Sequence, residues 1–180
     1  MRRGTVWFTG LSGAGKSTAA ATLKQRLDAL EVPTLLLEGD DLREGLNSDL
    51  GFSESDRREN VRRVGEVALL LSTVGHIVLV TVISPFAAGR ERVRARHDAE
   101  GVPFLEVHVA TPLDVCEQRD PKGLYARARR GEIPMFTGIS SPYEPPSNPD
   151  LSLSTTDHTP FETADKVLAL LGARGLVAPR

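Results

Sequence analysis

A chain of 180 residues, 40% hydrophobic and 26% charged, is long enough for one domain with a sizeable core and too short for two. Its formal net charge of −2 provides no overall basic field, which excludes recruitment of nucleic acid or an anionic membrane by bulk charge and leaves room only for a local basic pocket. Cys116 is the only cysteine, so no intramolecular disulfide can form, and a reducing cytoplasm suits the chain.

Met1-Arg2-Arg3 runs directly into Thr5–Thr9, the first predicted strand. Gly10 and Gly13 end that apolar run far short of a signal peptide or a membrane span. Gly15–Leu30 has helical period, with Ala19, Ala20 and Ala21 small enough to pack closely on a sheet. Thr34–Glu38 is the second strand. In the helix Ser55–Val74, the residues Val61, Val64, Val67, Ala68 and Leu71 recur at helical spacing opposite Arg and Glu. Strand Ile77–Val82, helix Gly89–Glu100, strand Phe104–Val109 and helix Leu113–Arg119 continue the alternation. A weaker strand, Leu151–Ser154, and the helix Pro160–Leu171 complete it. Such alternation predicts an α/β fold: a five-stranded parallel sheet with helices on both faces.

One segment, about 119–149, breaks this rhythm. It is rich in Pro, Gly and cations, with one short helix predicted at Leu124–Arg130. Long irregular segments in small domains often serve as lids. Arg119, Lys122, Arg127, Arg129 and Arg130 would suit a lid closing over phosphates. The plain alternative is a solvated surface loop.

Gly10-Leu11-Ser12-Gly13-Ala14-Gly15-Lys16-Ser17 fits G-x-x-x-x-G-K-[ST], with Thr18 following. Glycines let the backbone turn several N–H groups inward, and no Cβ blocks an approaching phosphate. The helix opening at Gly15 adds its positive end. Lys16 would reach the β- and γ-phosphates, and Ser17 would ligate Mg²⁺. A chance match in a chain of this length has a probability on the order of 1%, and the strand before and helix after it lower that further. The loop therefore implies ATP and Mg²⁺. No N-K-x-D tetrapeptide is present to read guanine.

The phosphate loop leaves the acceptor open. Glu38-Gly39-Asp40-Asp41 places carboxylates at the C-terminal edge of the second strand, where ligands bind in open α/β sheets. Asp40 would accept a hydrogen bond from an acceptor hydroxyl or help hold Mg²⁺; its structural alternative is an N-cap for a turn at Leu42–Leu46.

Further blocks follow. They are Asp40-x-x-Arg43-x-Gly45-Leu46, Asp49-Leu50-Gly51-Phe52-Ser53 and Asp56-Arg57-x-Glu59-Asn60-x-Arg62-Arg63. Ile83-Ser84-Pro85, Arg119-Asp120-Pro121-Lys122-Gly123-Leu124-Tyr125, Phe136-Thr137-Gly138-Ile139 and Pro142-Tyr143-Glu144 complete the set. Over about the first 155 residues this order resembles the adenylylsulfate kinases. The resemblance implies a phosphate-loop kinase that uses MgATP to phosphorylate the ribose 3′-hydroxyl of adenosine 5′-phosphosulfate in sulfate activation, commonly as a homodimer.

By the same resemblance, Arg43 and Arg57 would hold the phosphosulfate, as forked donors suit paired oxyanions. Asn60 would bond substrate, Phe52 and Phe136 would sandwich its adenine, and Ile83 and Ser84 would line the pocket. Arg119 and Lys122 would belong to the lid over ATP. The bland readings are an exposed helix face for Arg57, Arg62 and Arg63 paired with Glu59 and Glu66, and a hydrophobic staple for Phe52. Family members carry a description of Ser84's position as a phosphoserine intermediate. No base stands beside it in sequence, so direct in-line transfer is expected, with Asp40 serving the 3′-hydroxyl and Ser84 contacting substrate.

Three positions depart from the family pattern: Glu38 for an aspartate, Phe86-Ala87-Ala88-Gly89-Arg90 where Y-R-x-D-R is usual, and Pro134 in a lysine's place. They leave two alternatives in view: a kinase for a related nucleotide or another small alcohol with a different anionic tail, and a nucleotide-binding regulator that has lost catalysis.

Overall fold

A computed structural model describes residues 3–178, so Met1 and Arg2 of the N-terminal run lie outside it. The strands are β1 (Gly4–Thr9), β2 (Thr34–Glu38), β3 (Ile77–Thr81), β4 (Phe104–Val109) and β5 (Leu151–Leu153). The helices are α1 (Lys16–Asp28), α2 (Gly39–Glu44), α3 (Glu54–Thr73), α4 (Ala87–Ala99), α5 (Leu113–Arg119), α6 (Leu124–Arg129) and α7 (Pro160–Ala173). All five strands are parallel, in the order β2-β3-β1-β4-β5. The predicted fold class is the observed one.

β1 lies at the centre and is buried at all six positions, because helices cover both faces of the sheet. Strand parity divides the core into two layers. Val6, Phe8, Ile77 and Leu79 pack with Leu23 and Leu27 of α1 and with Val167 and Leu171 of α7. Trp7, Val78 and Val80 pack on the other face with Val61, Val64 and Ala68 of α3 and Val93 of α4. A polar relay crosses this second layer. Ser72 Oγ lies 3.0 Å from Thr5 Oγ1, Thr5 Oγ1 2.9 Å from His97 Nε2, and His97 Nδ1 2.9 Å from the Val93 carbonyl. The carbonyl only accepts, so a neutral His97 carries its proton on Nδ1 and accepts from Thr5.

Local capping explains where the long helices begin. Ser53 caps α3 by accepting from the Asp56 N–H at 3.1 Å and donates to its carboxylate at 2.7 Å. Thr159 and Glu162 form a capping box on α7, with Pro160 in its first turn. The unexpected element is α2. It starts directly at Gly39, so Asp40 sits within its first turn and Glu38 occupies the cap position. Asp40 is therefore not the N-cap of a later turn. Among the described residues no helix is long and apolar enough to cross a membrane.

Candidate active site

The loop between β1 and α1 requires glycine at two points by contact as well as by conformation. A Cβ on Gly10 (φ 148°) would lie 2.5 Å from the Val109 carbonyl, and one on Gly15 (φ 101°) 2.9 Å from Thr155 Cγ2. Gly15 caps α1 with no side-chain acceptor, and the first turn holds no acidic residue. The opening N–H groups of the helix are thus left for an anion. Ser17 and Thr18 are exposed there. Lys16 folds over the loop and donates to the carbonyls of Gly10 (2.9 Å) and Leu11 (2.7 Å). Desolvation pulls its pKa down to about 8, opposed by the nearby Cys116 and Asp40.

Three residues that sequence reasoning did not single out hold this loop in place. Tyr125 donates its hydroxyl to the Ser12 carbonyl at 2.9 Å. Thr111 and Thr155 each donate to the Ala14 carbonyl at 2.9 Å. Hydroxyl side chains are common in loops, and nothing local marks these as loop anchors; only the chain's return past β4 and β5 does. Arg119 joins them, reaching Thr155 Oγ1 at 2.7 Å and the Gly13 carbonyl at 3.4 Å.

The loop forms one wall of a cleft of about 1030 Å³. Asp40, Arg43, Phe52, Arg57, Asn60, Ile83, Ser84, Lys122 and Phe136 also border it, so the structure brings the expected acceptor-side residues together. Phe52 is 56% exposed and is flanked by two guanidinium groups, Arg43 at 4.4 Å and Arg57 at 5.6 Å from its ring centre. Arg43 donates to the carbonyls of Leu50 and Gly51. Arg57 donates to the carbonyls of Phe52 and Met135 and to Thr137 Oγ1. Every one of these acceptors is neutral, so both positive charges remain uncompensated by direct pairing. Burial lowers the pKa of each, and the neighbouring Arg43 lowers that of Arg57 further.

Arg57 is 7% exposed, which sets it apart from Arg62 and Arg63. Those two pair with Glu59, as the bland reading expected, but Arg63 also takes Asp49, and Glu66 pairs with Arg96 instead. The staple reading of Phe52 also takes an altered form: the fourth residue of α3, against which it stacks, is Arg57 itself. Asn60 Oδ1 accepts from Asn47 Nδ2 at 3.1 Å. Phe136 differs from Phe52 in being buried, edge-on to Tyr125 at 5.0 Å.

Ser84 borders the cleft, with its hydroxyl held by the fold. It sits in left-handed backbone (φ 44°) and is 2% exposed. Its hydroxyl accepts from Trp7 Nε1 at 3.0 Å and donates to Thr9 Oγ1 at 2.9 Å. Thr9 gives its own proton to the Ile83 carbonyl, so it accepts from both Ser84 and Tyr143. The serine hydroxyl is thus engaged by two side chains of β1, although the residue itself borders the cleft.

The 119–149 segment is not uniform. Lys122 reaches across the cleft mouth to the Asp40 carboxylate. Arg127 and Arg130 pair with Glu132, and Arg129 with Glu117, all at exposed positions. Arg129 and Arg130 serve the surface, while Arg119, Lys122 and Arg127 border the cleft. The far end is pinned. Glu144 N–H donates to the Pro85 carbonyl at 2.8 Å, and its carboxylate accepts from Ala87 N–H at 2.7 Å. Arg90, 2% exposed, links Ser84, Glu106 and Glu144.

For Mg²⁺ the donor set is sparse: no cluster of three His, Cys, Asp or Glu able to hold a metal occurs among the described residues. The residues fit a cation that arrives with nucleotide phosphates. Ser17 is an exposed hydroxyl at the loop's end, and the buried Thr81 Oγ1 at the tip of β3 has no hydrogen-bond partner among the described residues.

A glycine-lined anion cradle at the head of α1, on a parallel sheet of this order, defines a phosphate-loop kinase. The family model for adenylylsulphate kinase matches residues 2–154. A Vibrio cholerae adenylyl-sulfate kinase is 54% identical over 176 residues, covering 98% of this chain and 81% of that protein. The chain belongs to the adenylylsulphate kinase family. Its structure resembles that of the Mycobacterium tuberculosis APS kinase CysC solved with AMPPNP and APS, with a TM-score of 0.92, 53% identity, and coverage of 95% of this chain and 99% of that one. A hexameric APS kinase from Thiobacillus denitrificans matches at TM-score 0.74 and 35% identity, over 98% of this chain and 30% of that one.

Proposed function

We propose that this enzyme transfers the γ-phosphoryl group of ATP to the 3′-hydroxyl of adenosine 5′-phosphosulfate, giving ADP and 3′-phosphoadenylyl sulfate. One observation carries the reading. The phosphate cradle shares its cleft with an exposed aromatic ring flanked by two guanidinium groups that have only neutral acceptors. Such a surface suits a nucleotide with a doubly anionic tail. The 53% identical relative solved with AMPPNP and APS supports the same pair of ligands.

In the reaction, Lys16 exchanges its loop carbonyls for the β- and γ-phosphate oxygens and neutralises charge as the bond to the leaving oxygen breaks. Asp40, released from Lys122, orients the acceptor hydroxyl and takes its proton while the new O–P bond forms. Ser17 would hold a Mg²⁺ brought with ATP, which when bound would supply charge neutralisation at the phosphates. Arg43 grips the anionic tail. Arg57 holds Phe52 and the Met135–Thr137 backbone in register and turns its remaining N–H groups to the same anion. Phe52 is the adenine platform, with Phe136 and Ile83 bounding the pocket, and Asn60 offers its amide nitrogen. Arg119 and Lys122 close over ATP. Transfer is direct, since the Ser84 hydroxyl is engaged by Thr9 and Trp7.

A homodimer is part of this reading, drawn from the family resemblance; the hexameric relative makes sedimentation velocity the deciding measurement. The buried, free Cys116 suits the cytoplasm. A coupled ADP-release assay with adenylyl sulfate, adenosine monophosphate and other nucleotides tests the substrate. Turnover confined to a different nucleotide would move the acceptor, as Pro134 on the lining of the cleft makes worth checking.

A further inference from the structure

Thr81 ends β3, the strand hydrogen-bonded to β1, and is 4% exposed. Its register partner is Phe8, and both share the face on which Ile77 and Leu79 pack against α1. It borders the same cleft as Lys16, Ser17 and Asp40. Its Oγ1 nevertheless has no hydrogen-bond partner among the described residues. A buried hydroxyl without a partner is uncommon and costly, so a partner from outside the fold accounts for it. In many phosphate-loop proteins an aspartate shares the nucleotide's Mg²⁺ with the loop hydroxyl. No acidic residue lies at the end of β3 in this chain, where Thr81-Val82-Ile83-Ser84 runs past the loop.

We propose that the Thr81 hydroxyl fills that place, accepting a hydrogen bond from a water ligand of the nucleotide-bound Mg²⁺. A neutral hydroxyl contributes orientation without charge, so the cation depends on the phosphates for its affinity, in keeping with the sparse carboxylate set around it. Valine at this site keeps the shape and removes only the hydroxyl.

The inference rests on the MgATP reading of the cleft, and calorimetry separates the two. AMPPNP is titrated into the wild-type chain, Thr81→Val and Thr81→Ser, once with Mg²⁺ and once with EDTA. The expected result is that Thr81→Val weakens binding about 2–10-fold with Mg²⁺ and leaves it unchanged in EDTA, while Thr81→Ser behaves as wild type. Equal losses in both buffers, or no loss with Mg²⁺, would overturn it. Should valine not fold, Thr81→Ala is read by the same comparison. A wild-type chain that binds AMPPNP in neither buffer would instead remove the kinase reading, and this inference with it.

Discussion

Lys122, in the loop between α5 and α6, is ion-paired with Asp40 in the first turn of α2. The pair bridges the nucleotide-side segment and the acceptor-side carboxylate across the mouth of the cleft. Both side chains are more than half exposed, so the contact adds little to stability and is easily exchanged. Its exchange by incoming phosphates would free Asp40 as the lysine turns to ATP, coupling nucleotide binding to readiness of the base.

Asp40→Asn keeps the shape and removes the proton acceptor. The expected outcome is a drop in kcat of about 10²–10⁴-fold, with AMPPNP affinity changed far less. Steady-state kinetics with adenylyl sulfate and a nucleotide titration check it. An unaltered kcat would take Asp40 out of the chemistry.

Lys16 links nucleotide affinity to pH. With its pKa lowered from 10.5 to about 8 in the free chain, it is largely charged below that value and loses its proton above it. ATP phosphates favour the charged form and pull the pKa back up. Affinity for AMPPNP should therefore be level below pH 8 and fall above it, by up to about tenfold per pH unit. Calorimetry at pH 8.5–9 in buffers of different ionisation enthalpy should record proton uptake. Binding that stays level to pH 10 would contradict this.

His97 makes stability pH-dependent at the acid end. Burial lowers its pKa below 6.5, opposed by the Val93 contact and by Asp98 and Glu66, with Arg96 adding to the lowering. The folded chain thus binds fewer protons than the unfolded chain once the pH falls below 6.5. Stability from this group is fully present above 6.5 and is lost as the pH falls through the folded-state value. Urea unfolding from pH 7.5 to 5 should show the decline, and His97→Gln should flatten it while lowering stability throughout.

Ser84→Ala should cost stability more than chemistry. It strips the acceptor from the Trp7 indole, a buried N–H, at about 1–3 kcal/mol, while kcat stays within several-fold. Denaturant unfolding and turnover measured together test this. A labelled phosphoserine formed from ATP without acceptor and consumed on adding it would sink direct transfer.

Much of the molecule is legible before folding. Strand positions follow the apolar runs, and the phosphate loop is readable because its chemistry requires a contiguous string of residues. Arg43, Phe52, Arg57 and Asn60 were legible as members of a pattern, but their arrangement was not. The same helical spacing serves the surface-paired Arg62 and Arg63 and the buried Arg57. The α2 helix escaped notice because six residues with three carboxylates carry no apolar stripe.

Contiguous residues alone determined the anion cradle and the alternation that builds a parallel sheet, because both depend on local backbone freedom and periodicity. Tertiary structure decided which polar groups face the cleft. Ser84 and Thr81 lie three residues apart, each carrying a hydroxyl, yet one is consumed by Trp7 and Thr9 while the other is buried without a partner among the described residues. That difference depends on what other strands and helices bring alongside, and such partners, up to 77 residues away, leave no trace in the local sequence.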